Sequence, residues 1–394
     1  MIKQNTDSRK SWLLYLFLFS SMFLFGYVEN IKGVSFPLIK AEFDISYAIQ
    51  GAMVSSMSFG YTLFCLVGGI LIGKFGVKNA LTAGYIFLVF GLIGVFFMPR
   101  FLLVAATLFL LAAGFGFLSV GLNALAAQVF STRAALLLSL LHFFYGAGSS
   151  ISPRAAGVLA TSFDWRYAYL LSVVLVLVLF IPSLFAGFPK VEDKETKKAG
   201  FLTAFKTPMV WVFSITLGIS VVVEMWSPNW SGLYFQDMYH LDPKTSGAAY
   251  ISNFFILFTV SRLVSGFAIE KIGYIQSLFI AAAAMLIIFI LGFMLGAKSI
   301  YVLPIIGYFC AILWPTILAT AMGYFRKDAP IMISAMIVIS GAFNASMQFL
   351  IGMINRLAGP VWSYRGCIFF TLLLLASLTV LARRLRLSYK GTPE

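Results

Sequence analysis

The stretch Gly68-Gly69-Ile70-Leu71-Ile72-Gly73-Lys74-Phe75-Gly76 returns, weakened, as Gly266-Phe267-Ala268-Ile269-Glu270-Lys271-Ile272-Gly273. Gly69 and Gly266 lie 197 residues apart in a chain of 394, and each copy joins one long apolar segment to the next. Self-similarity at half the chain length is the signature of a membrane protein built from two repeated halves. A second echo occurs at nearly the same offset: Trp165-Arg166 and Tyr364-Arg365 stand 199 residues apart.

Composition agrees. With 61% hydrophobic residues, 11% charged and a mean hydropathy of +0.95, the chain lies far from soluble domains, where about a quarter of residues are charged. Hydrocarbon about 30 Å thick needs about 20 apolar residues per crossing. Twelve such runs are expected, near 12–41, 47–72, 79–98, 101–129, 134–161, 166–187, 208–236, 245–269, 275–297, 299–323, 330–357 and 365–383. The basic start runs into the first apolar segment without a small-residue cleavage site, so an uncleaved first helix is expected.

The net charge of +14 would suit a nucleic-acid partner if it were clustered on one polar face. It is instead divided among loops: threaded through twelve spans, basic residues on one side outnumber those on the other two to one. That bias places both termini and the central loop in the cytoplasm of a bacterial-type inner membrane. The polar run from Pro189 to Gly200 divides the chain into an N-terminal six-helix bundle (1–189), a cytoplasmic linker (190–206) and a C-terminal six-helix bundle (207–394). Cys65, Cys310 and Cys367 lie in apolar segments without partner spacing, so neither a disulfide framework nor a metal site is indicated. The chain has no phosphate loop, metal spacing or nucleophile-base constellation, so no enzyme activity and no cofactor are expected.

These residues resemble the major facilitator superfamily over essentially the whole chain. Its loop between the second and third helices reads Gly-x-Leu-x-Asp-Arg/Lys-x-Gly-x-Arg/Lys, matched here by Gly69, Leu71, Lys74, Gly76 and Lys78. Gly73 replaces the Asp, whereas Glu270, beside Lys271, keeps an acid in the second copy. The resemblance implies two pseudo-symmetric six-helix bundles, alternating access about a central site, and a cytoplasmic gate made by Lys74, Gly76, Lys78, Glu270 and Lys271.

A narrower resemblance lies in the seventh segment, Gly218 to Tyr234, with Glu224, Trp226, Pro228, Asn229 and Trp230. It is similar to the fucose:proton symporter family and its bacterial glucose and mannose relatives. Gly114-Phe115-Gly116 with Asn123, and His142 to Pro153 with Gly146 and Gly148, add to it. Two family acids are replaced, by Gly33 and Ser119; Glu29 stands one helical turn before the first. The resemblance implies a monosaccharide or similar small polar solute moved together with protons.

The chemistry-bearing residues fit that reading. A carboxylate inside a membrane helix costs several kcal/mol unless it faces water, pairs or is protonated. Glu224 and Glu29 are therefore the candidates for proton coupling, with His142, the residue type whose charge changes near neutral pH. Sugar faces pack on aromatic rings while hydroxyls need amides and carboxylates. Asn123, His142, Tyr145, Trp226, Asn229, Trp230, Trp314, Asn344 and Gln348 supply that inventory. Trp226 and Trp230, four apart, share one helix face; Trp230 and Tyr234 equally suit an interfacial aromatic belt. Pro228 is expected to break the hydrogen-bond ladder at a helix end that bends; Trp314-Pro315 resembles the aromatic-proline break of sugar-transporting members, a kink packed against lipid being its alternative. Arg154 pairs with Glu29, snorkels to the interface, or binds an anion such as a sugar acid or monocarboxylate.

Two rivals remain at this level. Gly148-x-x-x-Ser152-Pro153 is an imperfect form of a motif common in antiporters, which suits a proton-coupled exporter of drugs or metabolites. A non-transporting receptor is the other, and the polar residues spread through both halves weigh against it. The expected partners are a small-molecule solute, protons and the lipid bilayer, with no nucleic acid, and the chain is expected to function as a monomer.

Overall fold

The computed structural model describes residues 2–130, 134–185, 188 and 199–390. They form α1 (Ile2–Asn30), α2 (Lys32–Glu42), α3 (Tyr47–Phe75), α4 (Val77–Phe97), α5 (Phe101–Val129), α6 (Ala134–Ser162) and α7 (Arg166–Phe185). The chain continues with α8 (Ala199–Lys206), α9 (Pro208–Tyr239), α10 (Ala248–Ile272), α11 (Tyr274–Met294), the one-turn α12 (Ser299–Val302), α13 (Ile306–Phe325), α14 (Ala329–Ala358) and α15 (Pro360–Lys390). The linker at 190–198 lies outside the described residues; its remainder is α8. Among the described residues, eleven helices are long and apolar enough to cross a membrane, the first running from Trp12 to Glu42 through α1 and α2. The twelfth expected span corresponds to α6, 29 residues long, which carries His142, Arg154 and a run of serines. A helix is the natural answer in lipid because it satisfies its own backbone groups. Side chains join in: Thr62, Ser150 and Thr316 each donate to the carbonyl four residues earlier.

Two expected breaks are corrected. α9 runs through Pro228 and α13 through Pro315 without interruption. Proline removes one donor from the ladder, but in a membrane bundle neighbouring hydroxyls and helices absorb that loss.

The chain folds into two compact units. The first holds residues 1–44, 56–195 and 243–252; the second holds 45–55, 196–242 and 253–394. In the first, α1 and α6 approach until no side chain fits between them: a Cβ on Gly26 would collide with the Tyr145 carbonyl, and one on Gly148 with that of Phe23. Small residues permit such contact, and dispersion over the shared face replaces the hydrophobic effect that lipid cannot supply. Tyr85 donates to Ser21 at 2.6 Å, and the Ser35 and Tyr169 hydroxyls meet at 2.7 Å, which pairs four of its buried polar groups. At the α2 end, Glu42 takes a two-pronged pair from Arg166 at 2.7 and 2.9 Å and a hydrogen bond from the Trp165 indole at 2.7 Å.

The repeat seen in the sequence is reproduced by the backbone. Gly76 and Gly273, 197 residues apart, precede α4 and α11 with φ of +85° and +95°. Both angles fall in the region that favours glycine. The offset governs packing as well. Gly157 on α6 sits against the Lys244 carbonyl and Ala248; Gly352 on α14 sits against the Tyr47 carbonyl and Gly51. Tyr47 and Gly51 precede Lys244 and Ala248 by 197 residues each.

The N-terminal tip of α3 is thereby fixed to α14 inside the second unit. A Cβ on Gly352 would lie 2.5 Å from the Gly51 Cα and 2.7 Å from the Tyr47 carbonyl oxygen, both backbone atoms. Gly352→Leu is therefore expected to lift the tip. Thiol labelling of Met53→Cys, a position now 3% exposed, should accelerate at least tenfold in a chain whose native cysteines are replaced by alanine. Unchanged labelling would show that the backbone absorbs the clash.

Candidate functional site

The candidate residues fall into two clusters, one in each unit. The second unit holds the amides. Gln348, wholly buried on α14, accepts from the Trp230 indole at 2.8 Å and from the Asn229 amide at 3.4 Å, and donates to Asn344 at 3.1 Å. The spacing explains the arrangement: Asn344 and Gln348 are four apart on α14, and Asn229 and Trp230 are adjacent on α9. Asn229 Oδ1 is buried without a partner, as is Trp226 Nε1.

Shared helix spacing does not make the two tryptophans equivalent. Trp230 enters the amide chain, whereas Trp226 packs against Gly366 and the Phe370 ring, 5.5 Å between centroids. Trp230 and Tyr234 are both 2% exposed, so both rings are enclosed by protein. Tyr234 stacks on Tyr364 at 4.2 Å. Glu224, half-buried, lies two residues before Trp226 on α9. Trp314 is half-buried on α13.

The first unit holds the ionisable cluster. The Tyr145 hydroxyl donates to Glu29 Oε2 at 2.7 Å, and the Lys32 ammonium reaches Oε1 at 3.4 Å. These side chains converge because α1 and α6 touch at Gly26 and Gly148. One turn along, Asn30 bridges Gly26 and Ser149 at 3.0 Å each. Lys32 was missed at the sequence level, although its three-residue spacing from Glu29 was the available signal. Glu29, offered to Arg154 as a partner, is engaged by Lys32 and Tyr145, and Arg154 is exposed. His142 is half-buried on the same helix. Asn123 is exposed and bonds back to the Ser119 carbonyl at 2.7 Å, while the Ser119 hydroxyl accepts from Tyr61 at 3.0 Å.

The loop residues stay apart from both clusters. Lys78 donates to the Leu184 carbonyl at 2.6 Å; Lys74, Glu270 and Lys271 are exposed. A cavity of ≈ 360 Å³ in the first unit, lined by Glu42, Asp164, Trp165 and Lys244 among others, contains none of the candidate residues. No group of three or more metal-ligating side chains occurs among the described residues.

The comparisons with known proteins bear on this arrangement. The family description Major Facilitator Superfamily matches residues 18–330. The chain belongs to the Major Facilitator Superfamily. Among its relatives, a putative glucose/galactose transporter of Helicobacter pylori (strain ATCC 700392 / 26695) is 24% identical over 357 residues, 83% of this chain and 86% of that protein. The E. coli fucose:proton symporter superposes with a TM-score of 0.68 at 16% identity, covering 95% of this chain and 98% of that one. The nucleoside transporter NupG gives 0.77 at 13% identity, covering 94% and 99%. This membrane transporter has the major facilitator fold, and its relatives are transporters rather than enzymes.

Proposed function

We propose that this superfamily member is a symporter that carries a monosaccharide or similar polyol into the cytoplasm together with protons, by alternating access. One observation carries the reading. Two α9 donors converge on Gln348, and Asn229 keeps a buried oxygen with no protein partner. A buried acceptor of that kind is costly unless a ligand or water serves it, and hydroxyl groups both donate and accept. The glucose/galactose and fucose relatives point to the same solute class.

In this account Gln348, Asn344, Asn229 and Trp230 hold the solute's hydroxyls, with Trp226, Trp314, His142, Tyr145 and Asn123 as further contacts. Glu224, Glu29 and His142 handle protons, Glu29 acting within its cluster with Lys32 and Tyr145. Lys74, Gly76, Lys78, Glu270 and Lys271 belong to the cytoplasmic gate, and both termini face the cytoplasm. The chain functions as a monomer in the inner membrane, its halves 1–189 and 207–394 joined by the linker 190–206.

Counterflow tests the solute class without any gradient. Liposomes preloaded with D-glucose, D-galactose or L-fucose should take up the labelled form of the same sugar, and empty vesicles should not. Failure of all three, with uptake of a hexuronic acid lost on Arg154→Ala, would reassign the chain to organic anions. Exchange of lipophilic cations alone would favour the exporter.

A further inference from the structure

Gln50 stands on the first turns of α3, in the tip that belongs to the second unit. Its side chain is 0% exposed, and neither Oε1 nor Nε2 has a hydrogen-bond partner. An amide stripped of water and given nothing in return is a liability that helix packing alone does not offset. Such a group in a native fold calls for a specific explanation.

The repeat shows that packing does not require it. The tip docks on α14 through Tyr47 and Gly51, and the matching segment docks on α6 through Lys244 and Ala248. At the same offset of 197 residues, Gln50 corresponds to Gly247. One copy makes the docking with no side chain at this position. The other adds a primary amide, buries it and leaves it unpaired.

The tip also arrives at the amide chain. A Cβ on Gly51 would lie 3.2 Å from the Gln348 backbone carbonyl, while the Gln348 side chain receives Trp230 and Asn229. The buried groups of the second unit that lack partners include the Gln50 amide, Asn229 Oδ1 and Trp226 Nε1. Between them they offer donors and acceptors, which suits a polyhydroxylated molecule.

We propose that Gln50 is a solute-binding residue, its amide hydrogen-bonding a hydroxyl of the sugar while the α3 tip is docked on α14. This rests on the sugar-transport reading and extends it to a helix that carries none of the other proposed solute contacts. The contact exists only in the docked arrangement, so it tightens binding at the stage when the solute is enclosed.

The test is sugar counterflow in liposomes with the wild-type chain and Gln50→Leu, using whichever of D-glucose, D-galactose and L-fucose the wild type exchanges, and its monodeoxy analogues. Leucine keeps the bulk and removes the amide. KM should rise roughly tenfold, the worth of one good hydrogen bond, with Vmax within twofold. The penalty should vanish for the one analogue lacking the contacted hydroxyl. An unchanged KM, or an equal penalty for every analogue, would overturn the assignment and leave Gln50 as a hydrated packing residue. If Gln50→Leu is not recovered folded, Gln50→Met decides by the same criteria. A wild type that exchanges none of the sugars defeats the sugar reading and this contact with it, whereas an active wild type matched by its variants defeats the contact alone.

Discussion

Replacing Gln348 with leucine is expected to lower sugar exchange at least a hundredfold. The substitution removes one side chain and strips three neighbours of a contact, since Trp230 Nε1, Asn229 Nδ2 and Asn344 Oδ1 all meet the Gln348 amide. Each buried polar group left without a partner costs about 1–3 kcal/mol, and a hundredfold loss corresponds to about 2.7 kcal/mol. Leucine fills the space but fixes neither the indole nor the asparagine, so the hydroxyl-binding surface loses its orientation. Labelled sugar counterflow reads the effect, and the melting temperature should also fall by several degrees. Ser346→Ala, an exposed position two residues away whose hydroxyl only bonds back to the Ala342 carbonyl, should leave both measurements unchanged. Full activity in Gln348→Leu would remove the amide chain from the solute site.

The second large effect separates movement from energy coupling. Glu224→Gln is expected to retain sugar counterflow within about twofold while losing at least tenfold in accumulation driven by a pH gradient. Glutamine preserves the shape and hydrogen-bonding reach of the side chain but exchanges no proton. A carboxylate on a membrane helix is expensive to keep without a function, and this one lies on α9 with the residues that organise Gln348. Accumulation at the wild-type level would assign the coupling elsewhere, with the Glu29, Lys32 and Tyr145 cluster the next candidate.

Much of the fold was legible because the repeat constrains many positions at once. The glycine turn gave the offset of 197, and that offset recurs in the backbone angles of Gly76 and Gly273 and in the two tip dockings. The proline breaks were misjudged because a sequence shows the lost N–H of Pro228 and Pro315 but not that the helix continues on both sides of it. The amide chain was legible as an inventory: Asn344 and Gln348 were four apart, and Asn229 adjoined Trp230. Which tryptophan was the polar one was not legible. Trp226 and Trp230 share a face, but Trp226 meets Gly366 and Phe370 while Trp230 meets Gln348, and spacing on one helix does not say which neighbour lies opposite each turn. Lys32 and Gln50 escaped for different reasons. Gln50 stands near the start of its segment, where a polar residue reads as loop or interface, and only the tertiary fold buries its amide; Lys32 was visible three residues from Glu29 and was passed over.

The most direct measurement of the account is accumulation of labelled hexose by the purified wild-type chain in liposomes with an alkaline interior. The account predicts concentration of D-glucose, D-galactose or L-fucose above the external level, abolished by a protonophore and by Glu224→Gln. Equilibration without accumulation, or uptake confined to sugar acids or lipophilic cations, would contradict it.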